Sequence, residues 1–343
     1  KQVTKRSHWV PQVYLRAFAA DARRRKIWRF SKNLGDPQLK SIEKVAVRFH
    51  LYAPMDQDGR RDDSLERKLS DLEQWFDSPF WRALQEGYPD LGWEPLRKMV
   101  ALLAATMFMR TPAVLEMMQM MHADLVEMFS GPLGVPSAVE IGDQVRELNP
   151  SDWPAYRDAS MDDIKRFWNS QISRAGTYAE MLMTMRWSML CSDEPVFITT
   201  DNPVGFIHPS LKFRGVKDPE TMVMFPISPT RVLSFDQLHR EPANQYYKLK
   251  GTGAVQNLLI WRNSIEYMFS HRDPDLVCAE LLEDAGYRGH NAPLSHRFRV
   301  YTSGQKRRMT PSIKREMKRP AAVEPVIGHI KNEHRMSRNY LAG

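Results

Sequence analysis

The sequence predicts a mainly α-helical body with a small antiparallel sheet, an α+β fold, followed by a basic C-terminal segment. Apolar residues recur at spacings of three and four along most of residues 64–191, which is typical of amphipathic helices. Runs rich in β-branched and aromatic residues are short, and most of them stand within residues 196–235 between prolines. The basic charge is concentrated after residue 283. The helical body, the small sheet and the separate basic segment follow from these three observations.

The chain has the length and composition of a globular protein with room for two domains. It has 343 residues, of which 42% are hydrophobic and 26% are charged. No window contains the roughly 20 uninterrupted apolar residues of a membrane helix, and the basic N-terminus lacks the apolar stretch of a signal peptide. We therefore expect a cytoplasmic protein without a membrane partner. The two cysteines, Cys191 and Cys278, exclude a disulfide framework or zinc ribbon by their number, and for Cys191 a buried thiol is favoured over a nucleophile.

The net charge of +8 is distributed unevenly along the chain. Residues 284–343 contain 13 Lys and Arg against 4 Asp and Glu, whereas the remaining residues contain 36 against 37. An electrostatic attraction to nucleic acid is therefore predicted for the end of the chain alone. We call residues 1–277 the body and residues 278–343 the tail.

The first elements of the body are short. Residues 7–18 predict an extended entry and then a helical turn, because Pro11 suits a first helical turn. Residues 27–30 and 46–52 are β-prone and predict a small sheet. An amphipathic helix is then predicted to begin at Ser64, a good N-cap, and to end near Phe76.

Longer helices follow in the middle of the body. Glu94–Arg110 is apolar on almost every side, so we expect a central helix. Pro112 interrupts the pattern, and the helix resumes until residue 130 with methionines at helical spacing, which are interpreted as core residues rather than a binding groove. A long helix is predicted over Met161–Cys191.

The period of the apolar residues changes at Val196. Continuous β-prone runs predict strands over residues 196–200, 222–227 and 231–235, and together these form the small antiparallel sheet. Residues 254–269 return to a helical pattern. No internal repeat is visible.

Three short motifs of the body resemble those of a known bacterial family. Residues 8–18 read His-x-Val-Pro-x-x-Tyr-Leu-x-x-Phe, residues 198–204 read Ile-Thr-Thr-Asp-Asn-Pro-Val, and residues 225–228 read Phe-Pro-Ile-Ser. They resemble the signatures of the family named domain of unknown function 4238, and Arg110 and Asn257 fall where that family would place them. The resemblance covers about residues 5–272. It implies a shared fold and no particular activity.

Five polar residues of the body are candidate catalytic residues, and each also has a structural interpretation. His8 and Gln12 are four residues apart and could present an imidazole and an amide to a substrate, or could pack the first turn. Asp201 and Asn202 follow a strand, where they suit either a turn or a site. Arg110 ends an apolar helix and could favour the helix dipole or bind a phosphate or carboxylate.

Two acidic residues of the body, Glu66 and Glu73, are also considered as candidates. Glu66 and Glu73 lie on the amphipathic helix that begins at Ser64, and they are interpreted as solvated charges. Spacing alone therefore yields no catalytic set.

The tail resembles the C-terminal part of transposases of the insertion sequence 5 group. The motifs are Asp-Ala-Gly-Tyr-Arg-Gly-His-Asn-Ala-Pro at residues 284–293 and the run from Ala321 to Tyr340. This resemblance implies the remnant of a ribonuclease H-like domain, with Asp284 as its second aspartate and Glu324 as its glutamate. Lys331 follows Glu324 after six intervening residues, which is the family's spacing. The family's first aspartate is absent upstream, where the body stands. We therefore expect no intact metal site, no transposition and no cofactor, since Mg²⁺ would require the complete carboxylate set.

Three hypotheses about function remain open. The body could be a nucleic-acid-processing enzyme, such as a defence nuclease that uses the five candidate residues. It could instead be a binding or regulatory module without catalysis, so that whether the chain is an enzyme stays open. The tail could bind nucleic acid nonspecifically through its basic residues. These are Arg297, Arg299, Lys306, Arg307, Arg308, Lys314, Arg315, Lys318 and Arg319.

Overall fold

The structure is a computed structural model that describes residues 6–32, 35–132, 134–141, 144–210 and 215–284. Its α-helices, in chain order, are α1 (Gln12–Leu15), α2 (Ser64–Glu73), α3 (Pro79–Glu86), α4 (Glu94–Met109), α5 (Pro112–Phe129), α6 (Trp153–Arg157), α7 (Met161–Ser173), α8 (Ala175–Thr184), α9 (Ala254–Arg262) and α10 (Pro274–Asp284). Short 3-10 turns span Arg16–Phe18, Ile42–Lys44, Gln74–Asp77 and Pro150–Asp152.

The β-strands form four sheets within the described ranges. The strands are β1 (Arg6–His8), β2 (Lys26–Ser31), β3 (Gln38–Ser41), β4 (Val47–Phe49), β5 (Ala138–Ile141), β6 (Gln144–Glu147), β7 (Arg186–Cys191), β8 (Thr199–Thr200), β9 (Gly205–Ile207), β10 (Met222–Ser228), β11 (Arg231–Asp236), β12 (Gln245–Lys248) and β13 (Tyr267–Ser270). Two sheets are larger, with strand orders β12-β7-β11-β10-β9 and β3-β2-β13-β8, and two are pairs, β1-β4 and β5-β6.

The five-stranded sheet separates two apolar cores. Its neighbours run antiparallel except β12 and β7, which are parallel. Trp187 of β7 lies opposite Phe235 of β11, and their ring centroids are 4.7 Å apart within the larger core. Met224 and Val232 alternate along β10 and β11 with residues of the larger core, and they point into the smaller core on the other face. Both faces of the sheet are therefore buried.

The smaller core lies between the two larger sheets and the helices α9 and α10. Phe30 of β2 and Trp261 of α9 pack edge to face with ring centroids 5.4 Å apart. Val277, Cys278 and Leu281 of α10 are buried in the same core. The helix α10 thus crosses the predicted boundary at residues 277 and 278, and that boundary remains a prediction.

The helix α4 is the central helix that its sequence predicts. Most of its residues are buried, including Val100, Ala101 and Ala104, which have no exposed surface. It ends at Met109, and Pro112 then opens α5, because proline fits the first helical turn but cannot continue a helix. The Trp168 indole of α7 donates to the Met109 carbonyl at 2.8 Å, so the end of α4 is held by a neighbouring helix.

The predicted fold class, mainly α with one small sheet, is wrong. The described residues contain two sheets of five and four strands besides the helices, so the chain has a mixed α/β fold. Strands β10 and β11 pair as predicted, but Thr199–Thr200 is strand β8 of the four-stranded sheet, so the three predicted strands do not form one sheet. Strands are also present where the sequence predicted helices. The predicted ribonuclease H-like remnant falls almost entirely on residues outside the described ranges, which reach only to residue 284.

Two predicted helices end earlier than expected because buried strands follow them. The long helix from Met161 is divided into α7 and α8, and Arg186–Cys191 is the strand β7. Helix α9 stops at Arg262, and Tyr267–Ser270 is the strand β13. Strands that are buried on both faces have continuous apolar runs, and periodicity cannot distinguish such a run from a buried helix.

The methionines of α5 are not core residues as a group. Only the first residues of α5 are buried, and Met120, Met121 and Met128 are 67%, 54% and 65% exposed. The core interpretation is therefore wrong for these three positions, because α5 extends past the elements that cover its first turn.

In the described part of the chain, no single helix is both long and apolar enough to cross a membrane. The bent pair α4 and α5 passes the length and composition criteria together, with an angle of 54° between the two helices.

Candidate functional site

The N-terminal strand β1 places His8 on the same face as one basic side chain, Arg6, and one aromatic side chain, Phe49. In its antiparallel pairing with β4, Arg6 lies opposite Phe49 and His8 lies opposite Val47. Residues directly opposite each other share a face of the pair, and side chains alternate along each strand. Arg6, His8 and Phe49 therefore share one face, on which Arg6 is exposed and Phe49 is 72% exposed.

The carbonyl of Glu43 holds the imidazole of His8 and the guanidinium of Arg6 together. Arg6 Nη2 donates to this oxygen at 2.8 Å, and His8 Nε2 lies 3.2 Å from it. Because a carbonyl oxygen can only accept, the neutral imidazole carries its proton on Nε2. Its Nδ1 is then the basic nitrogen, and the Gln12 side-chain amide donates to it at 3.4 Å.

The His8 imidazole favours the neutral form. Partial burial is the main reason that its pKa is lowered, and the positive charges of Arg6 and Arg110 act in the same direction. The hydrogen bond to the Glu43 carbonyl and the negative charge of Glu73 oppose this shift. The predicted neighbours His8 and Gln12 are thus in contact, although His8 lies on a strand and not on the helix with Gln12.

Arg110 fastens β1 to two helices from a buried position. Its Nη2 donates to the His8 carbonyl at 2.6 Å, its Nη1 pairs with Glu73 at 2.7 Å, and its Nε donates to the Tyr52 hydroxyl at 3.3 Å. The guanidinium is 3% exposed. Burial lowers the pKa of Arg110, but its contacts with Tyr52 and Glu73 raise it above the usual range, so it stays charged.

The two acidic residues interpreted as solvated charges are in fact partly buried beside Arg110. Glu73 forms the ion pair with Arg110, and Glu66 contacts Ser7, the neighbour of His8. Burial is the main reason that the pKa of Glu66 is raised, and its Oε2 is buried without a hydrogen-bond partner among the described residues. Their seven-residue spacing, two helical turns, was the signal that could have placed them on one face.

Asp201 has a different environment, because its carboxylate accepts three backbone hydrogen bonds from one turn. Oδ1 accepts from the Ile265 amide at 2.8 Å, and Oδ2 accepts from the amides of Glu266 and Tyr267 at 2.8 and 2.9 Å. The residue is 1% exposed. Burial raises the pKa of Asp201 to about 6, while the three amides and Lys32 act in the opposite direction.

Lys32 and Asn202 hold the same turn, which connects α9 to β13. Lys32 Nζ donates to the carbonyls of Arg262 and Ser264 at 3.0 and 2.6 Å, and the Asn202 amide donates to the Asn263 carbonyl at 2.8 Å. Burial lowers the pKa of Lys32 to about 8. The Asp-Asn-Pro motif therefore has a clear architectural use.

The five candidate residues form one group of three and one group of two. His8, Gln12 and Arg110 are in direct contact, whereas Asp201 and Asn202 lie at the α9–β13 turn. Trp9, the neighbour of His8, connects the two groups, because its indole donates to the Asp201 carbonyl at 2.8 Å. Nothing in these contacts brings the Asp201 carboxylate to His8.

Two cavities in the described residues lie away from both groups. An open groove of about 800 Å³ is bounded by α7, α8 and residues 215–217. A cleft of about 60 Å³ lies over the five-stranded sheet beside Arg186 and Asp236, which pair at 2.6 Å. Burial raises the pKa of both cysteine thiols, to about 12 for Cys278, which disfavours a nucleophilic thiolate.

Ligand-type side chains gather at one further place in the described residues. His208, Asp218 and Glu220 follow β9 and precede β10, and their ligand atoms lie within 4.8 Å of one another. Of the transposase-like positions, Asp284 is the last residue of α10, while Glu324, Lys331 and the nine basic residues of the tail lie outside the described residues.

Comparisons with known proteins bear on the body alone. A search of curated proteins and a search of solved structures each found no match. The resemblance of the tail to transposases found no support and stays a prediction. A family model described as "Protein of unknown function (DUF4238)" matches residues 6–277, which is most of the chain, and the chain therefore belongs to this family.

Proposed function

We propose that the body is an enzyme that cleaves nucleic acid, with His8 as its general base. The observation that carries the proposal is the shared face of β1 and β4, to which His8, Arg6 and Phe49 all belong and on which one carbonyl binds the His8 imidazole and the Arg6 guanidinium. A general base can activate the nucleophile, a cation can bind the phosphate and an exposed aromatic ring can stack on a nucleobase.

The imidazole has the protonation state that a general base needs. A lowered pKa keeps His8 neutral at pH 7, and its proton on Nε2 leaves the lone pair on Nδ1. The contact of Nδ1 with the Gln12 amide is long, at 3.4 Å, so a nucleophilic hydroxyl or water can replace it. Nδ1 would take the proton of the hydroxyl or water while the oxygen of that nucleophile attacks phosphorus. The P–O bond to the leaving group, opposite the attacking oxygen, then breaks.

The neighbours of His8 suit a single strand. Arg6 is exposed and can neutralise a phosphate, and an exposed Phe49 ring can stack on an unpaired base. Arg110 is buried and its three identified bonds are to protein atoms, so its role would be to position His8 through the backbone carbonyl. Gln12 would orient the imidazole until the nucleophile replaces its amide at Nδ1.

The test is cleavage of end-labelled tRNA, single-stranded DNA and duplex DNA by the full chain. We expect single strands to be cut, at least a hundredfold more slowly by His8→Asn and about tenfold more slowly by Arg6→Gln. His239→Asn is the matched control, because His239 is exposed and lies far along the chain from β1. Cleavage at the same rate by wild type and His8→Asn, with both folded, would contradict the proposal. Cutting of RNA that leaves 2′,3′-cyclic phosphate ends would identify the 2′-hydroxyl as the nucleophile.

A binding module without catalysis is the second candidate. It is favoured by the contacts of Arg110 and Asp201, whose identified hydrogen bonds all serve the fold. In that case the full chain would bind the labelled strands and leave them intact. Nonspecific binding through the tail would give the same result, and removing the tail separates the two possibilities.

A further inference from the structure

We infer that His208, Asp218 and Glu220 form a binding site for a divalent transition-metal ion of the zinc class. This site is separate from the proposed nuclease face and does not depend on it. The hairpin of β9 and β10 explains why residues so far apart in sequence meet, because Ile207 pairs with Met222. His208 therefore leaves the sheet beside the segment that contains Asp218 and Glu220.

The separations of the ligand atoms fit a small coordination sphere. His208 Nε2 lies 3.3 Å from Asp218 Oδ1 and 3.6 Å from Glu220 Oε2. Zinc binds nitrogen and oxygen ligands at about 2.0–2.2 Å, so two ligands of a tetrahedral site are separated by about 3.3–3.6 Å. The two separations from His208 thus match a tetrahedral site, and all three ligand atoms lie within 4.8 Å of one another. Water would occupy the fourth position.

Hydrogen bonding within the cluster leaves room for a cation. A neutral imidazole has one N–H, so His208 Nε2 can donate to only one of the two carboxylates that approach it. Two negative groups that converge on one nitrogen repel each other unless a positive charge lies between them. The His208 side chain is 10% exposed, whereas Glu220 is 62% exposed, so an ion can enter from the Glu220 side.

Ser210 can fix the tautomer of His208 that binds metal. The Ser210 hydroxyl lies 2.7 Å from His208 Nδ1 and can accept a hydrogen bond from a protonated Nδ1, which leaves the lone pair of Nε2 for the ion. The Ser210 amide also lies 3.0 Å from Nδ1 and donates to it in the opposite tautomer. Metal binding therefore requires a switch from the second arrangement to the first, and we expect micromolar rather than nanomolar affinity.

The ligand types indicate which ion binds. One imidazole and two carboxylates suit Zn²⁺ and, less well, Mn²⁺, whereas Mg²⁺ prefers oxygen ligands throughout. The consequence for the molecule is local order. Residues 215–217, which bound the open groove, directly precede Asp218, so an ion at this site would fix one wall of the groove.

The experiment is calorimetric titration of the chelator-treated full chain with Zn²⁺, and in parallel with Mn²⁺ and Mg²⁺. We expect wild type to bind one more Zn²⁺ than His208→Ala, and we expect Glu220→Gln to weaken this site at least tenfold. His239→Ala is the control for metal binding by exposed histidines elsewhere, and it should retain the site. Glu220 is largely exposed, so its substitution does not threaten folding.

A second measurement uses stability. Zn²⁺ should raise the melting temperature of wild type and His239→Ala, and should leave that of His208→Ala unchanged, because an ion that binds the folded state stabilises it. Equal stoichiometry and equal melting shifts in all four proteins would overturn the inference. Binding of Mg²⁺ as tightly as Zn²⁺ would also overturn it, since the site would then not be of the zinc class.

Discussion

The carboxylate of Asp201 holds a turn that no other side chain could hold in the same way. It accepts three backbone amides of residues 265–267 from a position that is 1% exposed. An amide in its place has one oxygen and one NH₂ group, so at least one backbone N–H would face another donor. We expect Asp201→Asn to lower the free energy of unfolding by about 2 kcal/mol, as for other buried bonds to a charged group.

Chemical denaturation of Asp201→Asn beside Asp193→Asn tests this expectation. Asp193 also pairs with a lysine, Lys248 at 2.6 Å, but both side chains are 73% exposed. Exposed ion pairs contribute little, so the control should lose less than about 0.5 kcal/mol. Equal losses in the two variants would show that Asp201 does not hold the turn.

The lowered pKa of His8 predicts the acid limb of the proposed activity. A general base must be neutral, so kcat/KM should fall as pH decreases through the pKa of His8, below the usual imidazole value of about 6.5. Arg6 is one of the charges that lower this pKa. We expect Arg6→Gln to move the limb to higher pH, whereas Arg23→Gln, at an exposed turn, should not move it.

The titration can also be followed by NMR without any substrate, with His8→Asn used to identify the His8 signal. The His8 ring should titrate below the usual imidazole value of about 6.5, and Arg6→Gln should raise the pKa of His8. A His8 pKa at or above that usual value would remove the basis for a neutral base at this position.

At the residue scale, sequence motifs selected several residues of the candidate site but did not predict the contacts between them. The pattern of residues 8–18 selected His8 and Gln12, and Arg110 was selected as a charge at the end of an apolar helix. The pairing of Arg110 with Glu73 joins residues 37 apart, and no local pattern reports such a contact. Arg6 and Phe49 were missed because their common face depends on the register of β1 and β4.

Among the elements, α9 depends on a glycine at its N-terminus. Gly253 has φ of +75°, and a Cβ atom there would lie 3.1 Å from Val196 Cγ2 and 3.3 Å from Phe197 Cε1. Gly251 has φ of +97° and open space around it. Alanine at either position has the strain of a positive φ, about 1 kcal/mol, but only Gly253→Ala also crowds the smaller core.

The pair of variants separates backbone strain from packing. We expect Gly251→Ala to cost about 1 kcal/mol and Gly253→Ala about 2 kcal/mol or more in the free energy of unfolding, measured by urea denaturation. A larger loss for Gly251→Ala than for Gly253→Ala would mean that α9 does not need the close approach of Gly253 to the segment before β8, Val196 and Phe197.

The sequence predicted some elements well and others poorly, and burial alone does not separate the two groups. The helices α2 and α4 and the strands β10 and β11 were predicted near their observed positions. The strands β7 and β13 were assigned to helices because each is short and follows soon after a helical pattern, so that local periodicity did not show where the helix ends. Strand β12 has only four residues, with both end residues exposed, and was not predicted.

At the scale of the whole molecule, the chain divides into a nearly neutral body and a positively charged tail. The family match ends at residue 277, and the excess positive charge lies from residue 284 onward. Helix α10 joins the two, since its buried residues pack in the smaller core of the body. A chain that ends at Asp284 therefore retains every described core residue, and it is the natural partner for a comparison with the full chain.

The last prediction concerns binding of duplex DNA by these two chains. We expect the full chain to bind nonspecifically and the chain ending at Asp284 to bind at least a hundredfold more weakly, because the latter lacks the net positive charge of the tail. If about six phosphates are neutralised, the logarithm of the affinity should fall with the logarithm of salt concentration with a slope of about −5. The matched control is a full-length chain with glutamine at the nine basic positions 297, 299, 306, 307, 308, 314, 315, 318 and 319, which should bind as weakly as the shortened chain. Fluorescence anisotropy at several salt concentrations measures all three, and a shallow slope or an unchanged affinity of the glutamine variant would show that the tail's charge does not bind DNA.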